Sequence, residues 1–69
     1  MAGPAIEKKL GKIIESFLEE EELAEERYLD LANALNYFGY IPESKKVFEI
    51  AIDEGRHKEI LKRILRKLK

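Results

Sequence analysis

Glu54 and the only histidine, His57, stand three residues apart in the run Ile50-Ala51-Ile52-Asp53-Glu54-Gly55-Arg56-His57. On a helix, residues three apart share one face, so a carboxylate and an imidazole there can reach one ion. The surrounding face reads Val47, Ile50, Glu54, His57, Leu61, Ile64, Leu68, in steps that alternate between three and four. That is the spacing of an apolar helical stripe, here with two ionisable residues at its middle. A second stripe precedes it: Leu10, Ile14, Phe17, Glu21, Ala24, Tyr28, Leu31, Leu35, Phe38, flanked by Ile13, Leu18 and Ala32. Glu21 is its one charged member. A carboxylate buried in such a stripe must be protonated, paired or bound to a cation. Neither stripe contains Lys or Arg. No counter-charge is therefore evident, and a metal ion is the expected partner of Glu21, Glu54 and His57.

Two helices must position these residues. Phe38-Gly39-Tyr40-Ile41-Pro42 is the only punctuation inside the chain. Gly39 can take the left-handed conformation that ends a helix, and Pro42 suits the first turn of the next. Pro4 suits the start of the first helix, and Met1-Ala2-Gly3 reads as a frayed end. The expectation is one all-α domain over residues 1–69, with helix 1 at about 4–38 and helix 2 at about 42–68. A connection this short makes the helices antiparallel neighbours. Glu21 lies 18 residues before Gly39, and Glu54 and His57 lie 15 and 18 after it. In a hairpin all three meet at one height.

A lone hairpin cannot cover stripes this wide. A second copy related by a two-fold axis would complete an antiparallel four-helix bundle. The inventory of side chains points the same way. One chain offers two carboxylates and one imidazole, and a dimer offers twice that. The di-metal bundle pattern is a Glu from each of two helices plus a Glu-x-x-His from each of the other two. Carboxylates and imidazoles without thiolates suit iron and manganese, and to a lesser degree zinc, at two ions per dimer. A second reading keeps the three residues as packed or protonated core groups in a non-catalytic dimerisation module.

The neighbours have two readings each. Tyr28, one heptad after Glu21, is either a core aromatic or a hydroxyl donating to a metal-bound carboxylate. Glu25, one turn after Glu21, is either a surface acid or a further ligand. Asp53 either orients a ring nitrogen of His57 or is solvated. Gly55 marks either the close approach of another backbone or a bulky ligand, or a tolerated gap.

Composition limits the alternatives. No Cys is present, which removes disulfides, thiol nucleophiles, thiolate zinc sites and iron–sulfur ligation. No apolar run approaches the ~20 residues of a membrane span, and the N-terminus lacks a signal-like apolar stretch. A cytoplasmic protein is expected. Formal net charge is −1, but Glu15 to Asp30 holds eight acids and Arg56 to Lys69 seven bases. Basic residues at the end of a helix complement its dipole. Without interleaved aromatics they are not read as a nucleic-acid surface.

At Glu21, Tyr28 and the Asp-Glu-Gly-Arg-His run of residues 53 to 57, the chain resembles the ferritin-like superfamily, and its rubrerythrin branch most closely. The stretch from Phe17 to Leu65 resembles one helix pair of such a protein. The resemblance implies that Glu21, Glu54 and His57 ligate iron, that Glu54 bridges two ions, and that Tyr28 stands behind the ligands. It implies Fe(II) oxidation, or reduction of O2 or peroxide, with a separate electron donor. Full-length relatives carry four helices and two ligand sets. This chain has one set on two helices, a layout similar to encapsulated ferritins, whose iron site forms between subunits.

Overall fold

Residues 3–68 are described by a computed structural model of the chain. The expected frayed end at Met1 and Ala2 lies outside them. Two α-helices follow one another: α1, Pro4–Tyr37, and α2, Ile41–Lys67. No strand occurs among the described residues. Pro4 stands in the first turn of α1, where its missing N–H has no helical partner to lose. Gly3 caps that end with extended backbone, and its carbonyl accepts from the Glu7 amide at 3.0 Å.

The turn is built from its own hydrogen bonds. The Tyr40 amide donates to the Leu35 carbonyl at 2.8 Å, and the Gly39 amide to the Asn36 carbonyl at 3.1 Å. These two bonds form a Schellman motif, which requires a left-handed residue just past the cap. Gly39 supplies it with φ of 89°. Phe38 therefore becomes the cap of α1 rather than its last residue, and α2 starts one residue ahead of Pro42. At its other end α2 closes at Lys67, with Leu68 as its cap.

Beside the turn the helices approach closely. Ala32 and Ala51 are the only fully buried residues among those described, at 3% and 2% exposure. The Ser44 hydroxyl crosses the gap and donates to the Ala32 carbonyl at 2.7 Å. Small side chains allow this approach. At the far end Gly11 lies under Leu65, with ordinary contact distance for a methyl group in its place.

The interface does not run along the centre of the α1 stripe. The covered positions of α1 are Glu7, Gly11, Ile14, Leu18, Glu21, Ala24, Glu25, Tyr28, Leu29, Ala32 and Leu35. Leu10, Phe17 and Leu31, which the periodicity places at the stripe's centre, remain exposed. Ile50, Ile60 and Ile64 of α2 are exposed as well. The stripe is wider than one neighbouring helix can cover, so α2 occupies one edge of it and leaves the other open.

The result is a rod of 54 × 14 × 11 Å. It exposes 5687 Å². A compact chain of 8.0 kDa would expose about 4,500 Å². The difference, about 1,200 Å², is the cost in surface of a two-helix shape. No described helix is long and apolar enough to cross a membrane.

Candidate metal centre

Glu21 of α1 and Glu54 and His57 of α2 come together near mid-rod. One ligand atom from each lies within 4.8 Å of the other two. The hairpin geometry explains the meeting: antiparallel helices fold residue 21 back onto residues 54 to 57, and the i, i+3 spacing puts the α2 pair on one face. His57 Nδ1 stands 3.5 Å from Glu21 Oε2 and 4.0 Å from Glu54 Oε1. Neither approach is close enough to be a good hydrogen bond. Glu21 Oε2 is buried and has no hydrogen-bond partner.

Such an oxygen is costly to leave unpaired. A second carboxylate and an imidazole lie within 4.8 Å, a set of side chains that could hold a cation. An ion held at about 2.0–2.2 Å by N and O ligands would set those atoms roughly 3–4.4 Å apart. The two distances from His57 Nδ1, 3.5 and 4.0 Å, fall in that range, and the group as a whole lies within 4.8 Å.

The electrostatics carry the same signature. The Glu54 carboxyl is held above its ordinary value of 4.5. The main cause is the hydrogen bond its protonated form makes to Glu21; burial, the charge of Glu21 and the charge of Asp53 act in the same direction, and His57 opposes them. Two carboxylates forced together hold a proton between them when no cation does so.

Glu21 and Glu54 are half-buried in the hairpin, whereas the His57 side chain is 55% exposed. His57 lines an open, largely apolar hollow with Phe17, Glu21, Ile60 and Leu61. The three residues thus sit where the helix interface meets the uncovered face. A single hairpin does not enclose them in a core, as the periodicity alone suggests.

The flanking residues resolve differently. Glu25 is paired with Lys58, Oε1 to Nζ at 2.9 Å, with both side chains mostly covered. It is neither solvated nor turned to the triad. Lys58 is held above its ordinary range, chiefly by the hydrogen bond to Glu25, against the opposing effect of burial. A lysine thus enters the helix interface after all, although it lies off the apolar stripe. Its signal was available: Glu25 and Lys58 are 33 residues apart, the same separation as Glu21 and Glu54. Asp53 pairs with Arg56 at 3.3 Å on the surface and does not orient His57. Tyr28 sits on the triad's side of α1 but lines a separate hollow with Ala24, Arg27 and Leu31. Gly55 does mark a close approach, and the approaching group is the Glu25 carboxylate.

No family model, curated protein or solved structure matches this chain.

Proposed function

We propose that the chain is a ferritin-like, rubrerythrin-type di-iron protein whose metal site is completed by a second copy. The observation that carries this reading is the convergence of Glu21, Glu54 and His57 around an orphaned, buried carboxylate oxygen. Three ligands from one hairpin cannot saturate two ions, and a two-fold partner would bring three more. The dimer is supported separately by surface. If each copy covered its excess of about 1,200 Å², the pair would bury about 2,400 Å², within the range of obligate homodimers.

In this reading Glu21, Glu54 and His57 of each copy would hold the ions. Iron bound there would supply redox chemistry toward O2 or peroxide, with Fe(II) itself as substrate in a ferroxidase. The chain's own side chains do the rest. Glu54, whose carboxyl Glu21 holds above its ordinary range, would bind a cation in competition with its proton. The apolar residues Phe17, Ile60 and Leu61 border the His57 side and would exclude water there once a second copy covers them. Tyr28, one heptad along the same helix, stands ready to donate to a ligating carboxylate once a partner covers the face. With no cysteine in the chain, the reducing electrons would come from a separate donor.

The test is anaerobic Fe(II) titration followed by O2 or peroxide. Uptake should saturate at about two irons per dimer, and Glu54→Ala or His57→Ala should abolish it. Stoichiometric uptake that survives both substitutions would remove these residues from the site. The competing reading, a dimerisation module without metal, draws on the same exposed apolar face. It predicts that Fe(II), Mn(II) and Zn(II) leave the melting temperature unchanged.

A further inference from the structure

Two features that each cost stability meet directly behind the triad. Lys58 reaches from α2 to Glu25 on α1 at 2.9 Å, with side-chain exposures of only 19% and 27%. Partly desolvated ion pairs of this kind are often no more stabilising than an apolar pair. Gly55 lies inside α2, where glycine is a poorer helix former than alanine. A Cβ at residue 55 would stand 2.8 Å from Glu25 Oε2. The absent side chain is the notch in which the Glu25 carboxylate lies. Gly55 and Lys58 alternate in sequence with Glu54 and His57, and Glu25 is one turn from Glu21.

We infer that Glu25, Gly55 and Lys58 form a clamp that sets the rotation and register of α2 on α1, and thereby aims Glu54 and His57 at Glu21. These are positioning residues, and the inference rests on the metal reading of the triad. The physical need is clear. Each residue turns a helix by about 100°, so a slip of one position would carry His57 off the shared face. The apolar packing of inward residues such as Ile14, Leu18 and Leu29 is non-directional and tolerates such a slip. The Lys58 ammonium and the notch at Gly55 both meet the Glu25 carboxylate in this register, which gives it a directional contact that a slipped register would lose.

The experiment uses Co(II) as probe on the full chain, with Lys58→Met, the pair Glu25→Met/Lys58→Met, and Gly55→Ala. Lys58→Met strands the Glu25 carboxylate and should lower both melting temperature and affinity. The Met–Met pair should regain wild-type melting temperature yet bind Co(II) at least ten-fold more weakly, with a shifted visible spectrum. Gly55→Ala should keep its helix content, because the Glu25 carboxylate is the movable end of a side chain, and should lose a similar factor in affinity. Recovery of affinity together with stability in the Met–Met pair would reduce the clamp to packing, and unchanged binding in Gly55→Ala would also overturn it. A second readout needs no metal: nuclear Overhauser cross peaks from the His57 ring protons to the Glu21 side chain. They should be present in the wild-type chain and absent in the Met–Met pair. If the wild-type chain takes up no Co(II), the metal reading falls alone. The metal-free cross peaks then decide the clamp, and their persistence in the Met–Met pair overturns it.

Discussion

At the scale of single residues, the tension lies between Glu21 and Glu54. Both carboxylates are half-buried, and one oxygen of Glu21 has no partner. The folded chain therefore holds the Glu54 proton more tightly than the unfolded chain does. Protonation of Glu54 stabilises the fold. That contribution is full below the unfolded value of 4.5 and is lost as pH rises through the raised folded value. In chelator, the melting temperature should accordingly fall as pH rises above 4.5, and Glu54→Gln should flatten that slope. A pH profile identical in wild type and Glu54→Gln would show that the two carboxylates are not coupled. Metal should reverse the trend, because cation binding competes with the proton; stabilisation by Co(II) should grow with pH. Glu21, Glu54 and His57 could be read from the chain because spacing alone puts polar groups into apolar stripes. Lys58 lies outside the stripe, and its one signal was the 33-residue separation from Glu25 that it shares with the Glu21 and Glu54 pair.

At the scale of elements, the Schellman turn and the alanine contact govern how the helices meet. Gly39 holds a φ of 89°, which an L side chain adopts only with strain. Gly39→Ala should destabilise by about 1 kcal/mol in urea titration, with the loss confined to stability. Ala51 is 2% exposed in the helix contact. Ala51→Leu should overpack that contact and cost about 1–3 kcal/mol, and it should also weaken metal binding by spreading the helices. The turn was legible because glycine and proline mark it locally. Which edge of the α1 stripe faces α2 was not, since a pattern of threes and fours describes a broad face without choosing a line along it.

At the scale of the molecule, the hairpin leaves much of its apolar surface open. Phe17 is 50% exposed and Ile60 53% exposed, and both border the hollow that contains His57. A second copy laid on that face would cover them together with the metal ligands. Sedimentation should therefore report a dimer or larger assembly, with a melting temperature that rises with protein concentration. Phe17→Glu or Ile60→Glu should dissociate it and abolish metal uptake while leaving Glu21, Glu54 and His57 unchanged. A monomeric chain that still bound two ions with full affinity would contradict a shared site.

Periodicity, turn residues and the spacing of Glu21, Glu54 and His57 were enough to define two antiparallel helices and the three side chains that meet between them. Each of these follows from local rules: helical pitch, the conformational freedom of glycine and the fixed φ of proline. Packing decided the rest. It put the helix contact at one edge of the stripe, left His57 at the border of the open face, and brought Lys58 inward to Glu25 through the notch at Gly55. Those outcomes depend on how two surfaces rotate against each other. That rotation is set by contacts between residues tens of positions apart, which no local pattern encodes.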